Sequence, residues 1–116
     1  MGLLEDVAQW LDTQRDVFLS VPVTYQKKGG GPRSLTATLG RTVFRAENEY
    51  GAVVRTESRD FLISASHLPD EPQRGDCITC AGRVFEVLAP NAEPVWRWSG
   101  TGQVTRRIHT KEVRNA

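Results

Sequence analysis

Apolar positions along the chain follow two rhythms. Over residues 3–18, Leu3, Leu4, Val7, Trp10, Leu11 and Phe18 recur at three- and four-residue spacings, with acids and glutamines between them. That spacing predicts an amphipathic helix. Pro22 disfavours helix at the residue before it and marks where the rhythm changes. From there Val21, Val23 and Tyr25 alternate with polar partners, as do Leu35, Ala37 and Leu39. Alternation of this kind predicts half-buried strands, and Lys27–Arg33, "KKGGGPR", supplies the hairpin loop between them.

Residues 40–60, "GRTVFRAENEYGAVVRTESRD", break the alternation with four arginines, four acids and a central Tyr50-Gly51. The reading is a long charged excursion, flexible and centred on a loose hairpin at Tyr50-Gly51, with two ordinary meander strands as the alternative. Alternation returns at Phe61, Ile63 and Ala65. A Pro-rich connection, "PDEPQRGD", leads into "CITC" and "RVFEVL", joined by Ala81-Gly82 as a tight hairpin. Val95–Ser99 and Val104–His109 flank "GTG" as a last hairpin. The expected fold class is α+β, mainly β: a small antiparallel β-barrel or sandwich over about 20–110, one N-terminal helix, a long flexible loop over about 41–60 and a basic C-terminal tail at 106–116. The 116 residues fit one domain, long enough to bury a core without metal or disulfide.

Composition changes this picture little, but it narrows the function. Apolar residues are 39%, charged residues 25%, and the net charge is +1, so no global field draws the protein to DNA or to an anionic membrane. The charge is polarised along the chain. Residues 1–19 carry Glu5, Asp6, Asp12 and Asp16 against Arg15, while residues 101–116 carry Arg106, Arg107, Lys111 and Arg114 against Glu112. Opposite ends of this kind pair within one chain or head-to-tail between chains. The N-terminus is acidic without an unbroken apolar run, which does not read as a signal peptide, and no stretch approaches the ~20 apolar residues of a membrane span. Asp6 stands where a myristoylation motif wants Ser or Thr. The two cysteines are therefore expected as thiols in a reducing compartment.

Three candidate chemistries are weak. Cys77 and Cys80 have half a zinc site's spacing, and His67 and His109 would have to complete it. In a strand, however, positions three apart face opposite ways, which puts Ile78 and Cys80 in the core and Cys77 outside. His67 and His109 beside Ser64 or Ser66 lack any nucleophile elbow or orienting acid, so no enzyme is expected. Gly29–Arg33 lacks the ending of a phosphate loop. Trp96 and Trp98 share one strand face, with Arg97 opposite. They read either as stacking platforms for single-stranded nucleic acid or as the cover of a barrel end.

The order of parts is more informative than any one motif. "VPVTY", "FRAENEYG", "ESRDFLISASHL", "PQRGDCITCAGRVFEVLAP", "EPVWRWSGTG" and "RRIHTKE" follow one another in an arrangement that resembles the small head–tail joining (head-completion or stopper) proteins of long-tailed bacteriophages and prophages, the lambda-type tail-attachment proteins among them. The likeness covers nearly the whole chain. Its best pieces are Asp60–Ile63, Arg74-Gly75-Asp76 with Ile78 and the Gly82, Phe85, Val87 hairpin, and Trp96–Ser99 with Arg107–Thr110. The resemblance implies a virion structural protein, not an enzyme and without cofactor. It would add as a homo-oligomeric ring to the portal-side neck after DNA packaging, in the host cytoplasm, close the head and dock the tail. Portal or adaptor proteins, tail proteins and the packaged DNA are the implied partners, with no membrane. On this reading the partner-binding residues are Arg41, Arg45, Glu47, Glu49, Tyr50 and Arg55 on the long loop and Arg106, Arg107 and Lys111 on the basic tail. Lys27, Lys28 and Arg33 at the Gly hairpin and Arg114 on the basic tail join them, and Asp12 and Asp16 on the helix are cross-subunit partners. Trp10, Phe18, Phe61, Phe85 and Trp96 are expected in the core. A small nucleic-acid-binding barrel using Trp96, Trp98, Arg106 and Arg107 is the alternative.

Overall fold

The computed structural model describes residues 20–47, 49–89, 93–100 and 102–115. These residues form seven strands: β1 (Ser20–Gln26), β2 (Pro32–Glu47), β3 (Val53–Ser64), β4 (Cys77–Cys80), β5 (Arg83–Val87), β6 (Trp96–Ser99) and β7 (Thr105–Asn115). All pairings are antiparallel. The order β3-β2-β1-β4-β5-β7 closes on itself because β7 also pairs with β3, from Arg59 opposite Thr110 to Ser64 opposite Thr105. The result is a six-stranded barrel. β6 is a seventh strand laid on the N-terminal half of β7, along the same edge that β5 takes on its C-terminal half.

This corrects the expected α+β class, since the described residues contain strands and turns but no helix. The helix read over 3–18 falls outside them, as do Trp10, Phe18, Asp12 and Asp16. The long flexible loop is corrected as well: residues 41–47 and 53–60 are strand, continuous with the barrel, and only the turn at 48–52 separates them. Charge hid the strands there, because residues 40–60 hold four arginines and four acids and show no apolar alternation. Residues 105–115, read from Arg106 onward as a basic tail, are the closing strand β7.

The core follows from alternation. Val21, Val23 and Tyr25 of β1, Ala37 and Leu39 of β2, Phe61 and Ile63 of β3, Ile78 and Cys80 of β4, Phe85 and Val87 of β5 and Ile108 of β7 all point into the barrel and are buried. Phe61 and Phe85 meet edge-to-face with centroids 5.1 Å apart, a geometry that adds about 1 kcal/mol to the burial of the rings. Cys77 is on the other face of β4 from Cys80, and burial pushes the Cys80 thiol up to about 11. β7 carries one extra residue against β5: Val84 faces Arg114 and Phe85 faces Glu112. The bulged residue is Val113, left half-exposed outside while Val84 and Phe85 both stay buried.

Two turns set the register of the neighbouring strands. Ala81 and Gly82 both have positive φ, at 50° and 78°, as the two-residue hairpin turn that matches strand twist requires. Arg74-Gly75 turns the chain into β4, and the next residue, Asp76, is buried. Its carboxylate accepts hydrogen bonds from the Tyr25 hydroxyl (2.5 Å), the Lys28 amide (2.8 Å) and the Gln73 amide (3.0 Å). Asp76 thereby ties the end of β1 to the loop before β4. Burial, with the Asp76 bond, drives the Tyr25 phenol far above its usual range.

Candidate functional site

β2 loses its β1 neighbour after Thr38, and β3 meets β7 only from Arg59 on. Between these limits, Thr42–Glu47 and Val53–Ser58 pair with each other alone among the described strands. They form a two-stranded ribbon that projects about 20 Å past the barrel wall at the usual rise per residue. Its turn carries Tyr50, 85% exposed, beside Val53, 67% exposed, with Glu47 and Glu49 next to them, also exposed. Arg45 and Arg55 face each other across the ribbon in register.

The ribbon is fixed at its root by a carboxylate. Asp60 has no exposed surface, and it sits on the outer face of the sheet where β2, β3 and β7 run side by side. Its Oδ1 accepts from the Ser58 hydroxyl (2.6 Å) and His109 Nδ1 (3.0 Å). Its Oδ2 accepts from Arg107 Nη1 (2.7 Å) and the Thr42 hydroxyl. Burial alone would raise the Asp60 pKa, but hydrogen bonds from His109, Ser58, Thr42 and Arg107 outweigh it and hold the carboxyl below its usual range. An ionised carboxylate only accepts, so His109 carries its proton on Nδ1. Gly40 makes room for this arrangement: a Cβ there would lie 3.1 Å from Arg107 Nη1 and 3.2 Å from Leu62 Cδ1.

Ser58, His109 and Asp60 are a serine, a histidine and an aspartate within hydrogen-bond distance, yet they are no hydrolytic relay. Ser58 Oγ lies 3.2 Å from His109 Nδ1, the nitrogen that Asp60 also takes. Nucleophile activation needs the serine on one ring nitrogen and the acid on the other. Phe44 covers the imidazole edge-to-face at 5.2 Å. The group is a clamp that joins Thr42 of β2, Ser58 and Asp60 of β3, and Arg107 and His109 of β7.

Arg107 is therefore spent on the clamp. Arg106 is turned the other way, into the barrel end, where it is 7% exposed. It donates to the Leu68 carbonyl, and its guanidinium carbon lies 4.8 Å from the Trp96 ring and 5.3 Å from the Trp98 ring. Trp96 and Trp98 pack edge-to-face at 4.9 Å. Arg106 Nε meets no acceptor among the described residues, and the two indole rings take the place of one. The tryptophans thus cover a barrel end. Of the sequence-selected residues, Glu47, Glu49 and Tyr50 gather at the ribbon tip. Arg41 pairs with Glu57 across the ribbon at 2.7 Å, and Lys111 stands exposed on β7, apart from the tip. Lys27 pairs with Asp70 at 3.4 Å at the β1–β2 turn. Among the described residues no cluster of His, Cys, Asp or Glu is arranged to hold a metal ion.

A family described as phage head-tail joining protein matches residues 1–116. The chain belongs to that family. As a head-tail joining protein it is a structural component of a bacteriophage virion that interacts with other head and tail proteins. A search of curated proteins gave no match. In this joining protein the sequence pointed to the tip and missed the root. Asp60, Ser58 and Thr42 are ordinary polar residues in a strand, and only knowing that β7 lies beside β3 brings Arg107 and His109 to them. The one available signal was an acid, Asp60, directly before the apolar run Phe61–Ile63.

Proposed function

We propose that this head-tail joining protein adds to the portal-proximal neck as a homo-oligomeric ring, completes the DNA-filled head and offers the surface to which the tail attaches, with the β2–β3 ribbon as its docking arm. The observation that carries this reading is the ribbon itself. Two strands project about 20 Å, pair only with each other among the described strands, carry an exposed Tyr50 and Val53 at the tip, and are anchored by the Asp60 clamp instead of hanging loose. A rigid arm with an apolar tip gains contact area on docking and loses little conformational freedom. Tyrosine is also among the residues that anchor interfaces most often. Glu47 and Glu49 at the tip, and Lys111 and Arg114 on the outer face of β7, supply charge to steer the encounter. Arg45 and Arg55 belong to the same arm.

The nucleic-acid reading is not favoured. Base stacking needs open aromatic faces, while Trp96 and Trp98 pack on each other and on Arg106.

Purified protein added to DNA-filled, portal-capped heads that lack it tests the proposal. Negative-stain imaging should show added neck density and head-bound chain that sediments with the heads, and added tails should then join. Heads that take up no protein at any concentration tried would overturn it. Tyr50→Ala should weaken head binding, and its urea midpoint, measured alongside, separates docking from any change in folding stability.

A further inference from the structure

On the outer face, beside the ribbon root, the segment before β6 comes over β2 and leaves a cleft of about 340 Å³. Val43, Phe44, Pro94 and Trp96 supply its apolar lining, and Glu93 and Arg97 are its charged groups. Thr42 and His109 complete the lining, so the cleft is about half apolar and half polar, a surface that suits a group with an apolar ring and a polar end.

The geometry points to a second copy of this chain as the occupant: the ribbon tip of one subunit inserts Tyr50 into the cleft of the next. This rests on the neck-ring reading and names the partner of the arm. Three observations support it. First, the tip offers what the cleft accepts: an exposed aromatic ring with a hydroxyl, to lie among Phe44, Pro94 and Trp96 and donate to the Glu93 carboxylate. Second, the cleft's two charged groups have separate roles: Arg97, exposed there, can receive Glu47 or Glu49 beside the tip, while Glu93 is left to the tyrosine hydroxyl. Third, a chain cannot fill its own cleft. Phe44 is three residues before the end of β2 and Tyr50 lies in the turn beyond it, so about 10 Å of extended ribbon plus the turn holds the tip away from its own cleft. A contact between two different patches is head-to-tail, and such contacts form a ring where the rotation between copies closes.

Cysteine trapping on assembled heads tests this. In a Cys77→Ser background, Tyr50→Cys and Glu93→Cys chains are mixed, bound to DNA-filled heads and mildly oxidised. A disulfide-linked dimer at least tenfold above that from the pairing of Tyr50→Cys with Glu86→Cys, an exposed site on β5, is expected. The double variant Tyr50→Cys/Glu93→Cys should give a ladder that ends at a closed ring. Reversing the charges with Glu49→Arg should weaken head binding, and Arg97→Glu in the same chain should restore it. Protein that binds heads but gives no Tyr50–Glu93 link above the control overturns the cleft assignment and leaves the neck-ring reading standing. Protein that neither binds heads nor cross-links in concentrated solution overturns both.

Discussion

Arg107 reaches the carboxylate of Asp60 at 2.7 Å although the two are not register partners. Asp60 faces His109 across the β3–β7 seam, and Arg107 faces Leu62. The guanidinium crosses diagonally over Gly40, and its Nη1 also lies 3.4 Å from the Arg41 carbonyl oxygen. One side chain thus spans three strands at the point where the ribbon leaves the barrel.

Asp60→Asn removes the charge that Arg107 is buried against. Stripping one partner from a buried ionic group costs about 3 kcal/mol or more, so Tm should fall by roughly 10 °C. Amide exchange should rise most in Thr42–Glu47 and Val53–Ser58, the segments that leave the barrel at the clamp. A variant in which exchange rises evenly over the barrel would show that Asp60 serves general stability instead of ribbon anchoring.

Stability should decline at both ends of the pH scale, for different residues. The folded-state pKa of Asp60 lies below the usual carboxyl range, so its contribution is fully present above that range and is lost as pH falls through the lowered value. Tyr25 is shifted the other way. Its contribution is present below the usual phenol value of about 10 and is lost as pH rises beyond it. Urea midpoints should therefore fall below about pH 4 and above about pH 10. Tyr25→Phe, although less stable at neutral pH by about 1–3 kcal/mol for the lost Asp76 bond, should flatten the alkaline limb only.

The two cysteines should react in sequence. Cys77 is half-buried, while Cys80 is buried with its thiol pushed up to about 11. Iodoacetamide at pH 8 should label Cys77 in the folded protein and reach Cys80 only through unfolding, as mass spectrometry of the labelled peptides would read. Equal labelling rates at the two positions would contradict the inward placement of Cys80.

Ala81 occupies a left-handed position, φ 50°, that a side chain bearing Cβ adopts at a cost. Asn-Gly is the preferred pair for that turn. Ala81→Asn should raise stability by about 0.5–1 kcal/mol, measured as a shift of the urea midpoint at unchanged m-value.

The barrel strands were legible wherever one face is wet and the other buried. β1, the first half of β2, the end of β3, and β4 with β5 all show in Val21/Val23/Tyr25, Leu35/Ala37/Leu39, Phe61/Ile63 and Ile78/Cys80/Phe85/Val87. The tight turn at Ala81-Gly82 was readable for the same reason, since its flanks alternate. The ribbon was legible only as the alternative of two meander strands about Tyr50-Gly51, because charged residues such as Arg41 and Glu57, which pair with each other, leave no apolar alternation to read. The roles of Arg106 and Arg107 were hidden by sequence distance. Each is committed to groups tens of residues away, Leu68 and Asp60, and a basic pair near a chain end carries no sign of that. Tyr50 stood out because an aromatic next to a glycine in a charged run has no core to serve.

β7 touches β3, β5 and β6, and without Thr105–Asn115 the remaining strands make an open sheet with two unsatisfied edges. A ribosome that has translated through β6 therefore holds a protein that cannot yet be a barrel. Neither the Asp60 clamp nor the tryptophan-covered end exists until Arg106, Arg107 and His109 emerge. Closure of the barrel thus waits for β7, and a chain made only through β6 has no anchored arm with which to engage a neighbour too early.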